Sequence, residues 1–169
     1  VLVSGTVGDH GTAVMLARSE LGLESTIRSD CMPLHRLAAA AWQAGAVRVL
    51  RDPTRGGVAT TLNEFCEGRA FGIELDEAAV PVAPGVRTAC DLLGLDPLYC
   101  ANEGKLLCVA APESAPAVLA ALRALPGGEN AACIGTATQR WPGRVTLKTA
   151  FGGARVLTKL AGAQLPRIC

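Results

Sequence analysis

Aromatic side chains are scarce in this sequence: Phe, Trp and Tyr together make up 4% of its 169 residues. So few rings argue against a base-stacking surface of the kind that grips single-stranded nucleic acid. Charge of one sign is lacking as well. Sixteen Lys and Arg stand against fifteen Asp and Glu, a formal net charge of +1. No strongly positive face is expected from that balance, so nucleic acid is not expected as a partner. Long apolar runs are missing too: the longest, such as residues 37–42 and 106–111, fall well short of the ~20 residues of a membrane helix. No basic segment followed by an apolar one opens the chain, so these residues hold no secretory signal. There are two histidines, and no cysteine pair has C-x-x-C spacing, which leaves no zinc or redox motif and no expected metal site.

What is present is a core. Half the residues are apolar, and a chain this long buries roughly two thirds of its unfolded surface without needing staples. The seven cysteines are odd in number. Cys66, Cys90 and Cys108 lie among apolar neighbours and read as small buried hydrophobes, which suits a reducing cytoplasm. Nineteen glycines and ten prolines spread along the chain imply tight turns between short elements. The sequence opens at Val1, without Met and within an apparent strand, which suggests that further residues precede it.

Periodicity organises the chain as strands and helices in mixed order. Strands are expected at residues 1–6, 47–50, 72–75, 80–82, 105–110, 132–139 and 144–147. Helices are expected at 12–21, 34–44 (closed by Gly45), 58–66, 86–93 (closed by Gly94) and 112–125, the last opened by Pro112. This pattern indicates an α+β fold, an α/β sandwich with helices packed on a mixed sheet. The domain is expected to span 1–157. Residues 158–169 have no regular pattern and read as a flexible tail.

Four short segments concentrate polar chemistry. Gly5-Thr6-Val7-Gly8-Asp9-His10-Gly11 joins a strand to a helix, where glycines admit close backbone approach and a helix N-terminus favours an anion. It is neither a dinucleotide fingerprint nor a Walker A loop, and a tight turn in which Asp9 simply caps the helix is the plainer reading. Asp52-Pro53-Thr54-Arg55-Gly56-Gly57 also stands between a strand and a helix. Thr54 and Arg55 there suit phosphate oxygens, or Arg55 pairs with Asp52 to fix an ordinary turn. Tyr99-Cys100-Ala101-Asn102-Glu103-Gly104-Lys105 offers Glu103 as a partly desolvated base, or as a solvated loop carboxylate. The ending Leu165-Pro166-Arg167-Ile168-Cys169 places a thiol on a stiffened arm.

Taken together, these segments, with Ser29-Asp30-Cys31 and Asp96-Pro97-Leu98-Tyr99, resemble the C-terminal half of the HypE family of hydrogenase expression/formation proteins, relatives of aminoimidazole ribonucleotide synthetase. The resemblance covers essentially the whole chain, and its most specific part is Pro166-Arg167-Ile168-Cys169. It implies an ATP- and Mg-dependent carbamoyl dehydratase. In that reaction Cys169 receives a carbamoyl group from the carbamoyltransferase HypF and carries it through dehydration to thiocyanate, with Glu103 as the base. The cyano group then passes to iron on a HypC–HypD scaffold. Gly8, Asp9, His10, Gly11, Asp52, Thr54, Arg55, Gly56 and Gly57 would complete a nucleotide site. The main wall of that site, and the dimerising barrel of a homodimer, belong to an N-terminal half absent from these residues. By itself the chain is expected to fold but not to turn over. A small-molecule kinase or synthetase of the same superfamily, or a non-catalytic interaction module, are the alternatives.

Overall fold

Two four-stranded sheets divide the strands between them in the computed structural model, which describes residues 1–18 and 25–161. The elements run β1 (Leu2–Val3), α1 (Asp9–Arg18), α2 (His35–Ala44), β2 (Val47–Arg51), α3 (Gly57–Cys66), β3 (Gly72–Asp76), α4 (Pro84–Leu93) and β4 (Leu107–Ala110). They continue as α5 (Ala115–Arg123), β5 (Ala132–Cys133), β6 (Gly135–Thr138), β7 (Val145–Lys148) and β8 (Ala154–Leu157). The first sheet has the order β2-β4-β1-β5 and is antiparallel throughout. The second has the order β6-β3-β7-β8, with β3 and β7 parallel.

Strand alternation decides which side each residue serves. In β1 and β4, Leu2 pairs with Cys108 and Val3 with Leu107. Leu2, Leu106 and Cys108 face Leu37, Ala41, Val118 and Leu122 of α2 and α5. Val3 and Leu107 turn the other way, into a core shared with Val58 and Leu62 of α3 and with Ile73, Leu75, Val145, Leu147 and Leu157 of the second sheet. The first sheet is thus covered by helices on one face and by α3 and the second sheet on the other. The expected α/β sandwich is what forms.

Several boundaries differ from expectation, each for a local reason. Residues 132–139 are not one strand: β5 pairs with β1, and β6 with β3. Ile134 stands between them, donating its N–H to Val1 and accepting from Asp76, so one segment stitches both sheets together. Residues 80–82 are not a strand; Pro81 has no N–H to give a ladder, and its carbonyl instead accepts from Val7 at 2.9 Å. Pro112 opens a turn rather than a helix, and α5 starts at Ala115 once the Ala111 carbonyl has accepted from both Ser114 and Ala115. The opening strand is confined to Leu2–Val3. β8 was not expected at all. Helix α1 begins earlier than expected, at Asp9; the rest of its expected span, 19–21, lies outside the described residues.

Candidate functional site: a three-loop junction

β1 and β2 both run antiparallel to β4, so the ends of β1 and β2 and the start of β4 lie at one edge of the sheet. The loops 5–11, 52–57 and 99–105 leave from those points. The three polar segments separated by about 50 positions each in the sequence are therefore neighbours.

Asn102, fully buried, ties them together. Its side-chain carbonyl accepts from Gly8 N at 2.8 Å. Its amide donates to the carbonyls of Pro53 and Cys100, both at 3.1 Å. Its backbone N–H also reaches Pro53 at 3.2 Å. A buried amide with both donors and its carbonyl engaged is a rigid connector, since these groups would otherwise be orphaned in a low dielectric. Glycine is required where the loops touch. A Cβ on Gly57, whose φ is +63°, would lie 2.5 Å from the Leu98 carbonyl oxygen, and one on Gly11 would lie 2.7 Å from Ala101 N.

The remaining expected residues line this junction in distinct ways. Gly8 takes φ +88° to present its N–H to Asn102. Asp9 starts α1 and accepts the Thr6 hydroxyl at 2.6 Å. Gly11 donates its N–H to the Ala101 carbonyl, and His10 Nδ1 meets the Ser29 hydroxyl at 2.8 Å. In the second loop the Thr54 hydroxyl lies 2.5 Å from Asp52 Oδ2 and 3.2 Å from the Asn102 carbonyl. Asp52 and Arg55 are exposed at its rim, while Gly56 and Gly57 are buried at its base. Glu103 is half-buried, and its N–H donates to Asp30 Oδ1 at 3.1 Å. The junction therefore gathers Gly8, Asp9, Gly11, Asp52, Thr54, Gly56, Gly57 and Glu103. Cys169 lies outside the described residues.

Beneath Glu103 sits an ion pair. Lys105 Nζ lies 3.1 Å from Asp30 Oδ2, with side chains only 9% and 4% exposed. The Lys105 stem crosses Gly5, where an added Cβ would meet Cε at 3.0 Å. At Gly104 a Cβ would fall 1.7 Å from the Asp30 carbonyl oxygen. The Ser29-Asp30-Cys31 segment is thereby clamped under the third loop. Cys100 closes the floor, and its contact with Cys90, with burial second, pushes its thiol well above the ordinary range. Among the described residues no three His, Cys, Asp or Glu side chains converge as a metal cage, and no helix is long and apolar enough to cross a membrane.

Residues 1–148 match the family model described as AIR synthase related protein, C-terminal domain. The chain belongs to that family. Over its full length it is 54% identical to carbamoyl dehydratase HypE of Bradyrhizobium diazoefficiens, of which it covers 49%. It superposes on the crystal structure of hydrogenase maturation protein HypE in complex with ATP, with a TM-score of 0.91 and 46% identity, over 99% of this chain and 52% of that one. The crystal structure of a HypE–HypF complex gives a TM-score of 0.88 and 40% identity, over 94% of this chain and 52% of the other. The chain spans about half the length of the curated relatives it matches.

Within this AIR synthase-related domain, sequence reasoning named the three loops but missed what holds them. Asn102 and Lys105 belong to the third polar segment, and Asp30 to Ser29-Asp30-Cys31. Little local marks them: apart from the Cys100 carbonyl two residues away, the side-chain partners of Asn102 lie 49 and 94 positions off, and 75 positions separate Asp30 from Lys105. The one available signal was an amide and a lysine flanking Glu103 immediately before a strand that is otherwise apolar.

Proposed function

We propose that this chain is the C-terminal half of a cytoplasmic HypE-type carbamoyl dehydratase, which converts an S-carbamoyl group on Cys169 to S-cyano at the expense of ATP. The observation that carries the reading is the 54% identity, across the whole of this chain, to about half of carbamoyl dehydratase HypE. The junction supports it chemically, since Glu103 stands on a clamped loop beside two glycine-containing turns. The upstream half would supply most of the ATP and magnesium ligands and the homodimer contact. From this chain, Asp9 and Asp52 are the carboxylates suited to a hydrated magnesium ion, which needs only one or two. His10, Thr54 and Arg55 suit phosphate oxygens, and Gly8, Gly11, Gly56 and Gly57 permit close backbone approach. The domain body 1–157 would complete that site from one side, and 158–169 would form the carrier arm.

The chemistry balances as follows. The nucleotide supplies the phosphoryl group that turns the carbamoyl oxygen into a leaving group. As phosphate departs, the carbon–oxygen bond breaks, the carbon–nitrogen triple bond forms, and the two nitrogen-bound protons are lost in sequence. ADP, phosphate and one net proton result. Glu103 takes a nitrogen-bound proton, and Cys169 holds the carbon throughout. HypF would load the thiol, and a HypC–HypD iron scaffold would accept the cyano group. The Pro166-Arg167-Ile168-Cys169 ending favours this over a kinase or synthetase of the superfamily, whose diffusible substrate needs no terminal thiol.

The test is mass spectrometry of the C-terminal peptide from the full-length protein after incubation with the carbamoyltransferase and ATP. Parent protein should accumulate S-cyano Cys169, and Cys169→Ala should carry no adduct. Glu103→Gln should load normally but convert some 10²- to 10⁴-fold more slowly. A Glu103→Gln rate equal to the parent's moves the base elsewhere. The chain lacking its upstream half should show no ATPase activity.

A further inference from the structure

After β8 the chain turns onto α3 and is held there by side chains. Asn63 Nδ2 donates to the Leu157 carbonyl at 3.0 Å. The Tyr99 hydroxyl lies 3.0 Å from the Thr158 carbonyl and 3.2 Å from the Thr158 N–H, so one group engages both sides of that residue's backbone. Lys159 pairs with Glu67 at 2.5 Å, and Leu160 N donates to the Thr60 hydroxyl at 3.2 Å. The main-chain contacts thus move from Asn63 back to Thr60, one turn toward the helix start. Thr60 N is itself bonded to the Gly56 carbonyl. The described chain therefore arrives one turn from the second loop of the junction.

These contacts are not needed for solvation. Thr158 and Lys159 are exposed, and water would satisfy their backbone at little cost. Three side chains from α3 and from the third loop instead fix a stretch with little apolar anchorage. Nine residues, 161–169, follow the last contact, a reach of at most ~30 Å. We propose that Tyr99, Thr60 and Asn63 are positioning residues for the Cys169 thiol: they fix where, and in which direction, the carrier arm leaves the domain. This deepens the carbamoyl-dehydratase reading and rests on it.

Magnitude separates a fixed exit from a mere tether. Releasing the anchor lengthens the free arm from nine residues to twelve, and effective concentration falls as about the −3/2 power of length, a loss of less than about twofold. Losing a set direction costs more, because misplacement by ~1 Å can cost on the order of 10²-fold. Full-length protein carrying Tyr99→Phe with Thr60→Val keeps the ring and the helix but removes both hydroxyls. Amide hydrogen exchange at Thr158 and Leu160 should speed up. Conversion of S-carbamoyl to S-cyano Cys169 should fall at least about fivefold, with HypF loading and ATP affinity unchanged. Thr60→Ser with Tyr99 intact, which keeps both hydroxyls, should retain the parental rate. A parental rate despite unprotected amides overturns the proposal, as does unchanged protection or a parallel loss of ATP affinity. Failure of the dehydratase reading shows separately, as absence of S-cyano product in the parent protein.

Discussion

Asn102→Ala should be among the most damaging single changes to this domain, and its cost can be worked from the contacts. The side chain makes three hydrogen bonds: from Gly8 N, and to the Pro53 and Cys100 carbonyls. Pro53 keeps a partner after truncation, because the backbone N–H of residue 102 still reaches its carbonyl. Gly8 N and the Cys100 carbonyl do not. Two buried orphans at ~1–3 kcal/mol each give about 2–6 kcal/mol, against a total stability on the order of 5–15 kcal/mol. With an m-value of ~2 kcal/mol/M, the urea midpoint should drop by roughly 1–3 M with m itself unchanged. Equilibrium urea unfolding followed by circular dichroism reads this directly. Asn102→Asp supplies an internal check. It keeps the acceptor for Gly8 but sets a carboxylate against two carbonyl oxygens, so the folded state favours its protonated form. Its deficit should therefore be smaller near pH 4 than at pH 7, growing as pH rises through the ordinary carboxylate range. An Asn102→Ala loss below ~1 kcal/mol would show that water replaces the amide, and the connector argument would fail.

Two further outcomes follow from buried charge. Lys105→Met should cost about 3–5 kcal/mol by leaving Asp30 buried without its partner, and adding Asp30→Asn should recover most of that in the same urea experiment. Burial pushes the Cys66 thiol from 9.0 up to about 11. The unfolded chain thus loses its proton first as pH rises. The stabilising contribution is complete below about pH 9 and is lost between about 9 and 11. Thermal melts across that interval should fall more steeply for the parent than for Cys66→Ala.

Helices α2 and α4 read well from sequence because each carries its own apolar stripe and a glycine stop: Gly94 closes α4 with φ +66° and Gly45 follows α2. β8 was illegible for the opposite reason. Only Leu157 of its four residues is buried, so Ala154–Val156 lack the alternation that marks a half-buried strand. Residues 132–139 look continuous because both halves suit a strand, and only the pairing of β1 with one half and β3 with the other divides them. At the junction the glycine-bearing loops could be picked out individually by composition. Their meeting could not, because it depends on β1 and β2 flanking β4, a tertiary fact with no local trace.

That same strand order bears on how the chain is made. β1, the first of these strands in the sequence, is an interior strand of its sheet, and Leu2 acquires its two neighbours only at Cys108 and Cys133. At synthesis rates of ~5–20 residues per second, Leu2 and Val3 wait roughly 7 to 26 s for the second of them. β3 likewise waits for β6 and β7. Neither sheet can close its middle until residues 132–148 have emerged, so the apolar nascent segments of this domain need shelter for most of its own synthesis. Translational pausing or chaperone depletion in that window should reduce the yield of folded protein far more than the same stress applied after release.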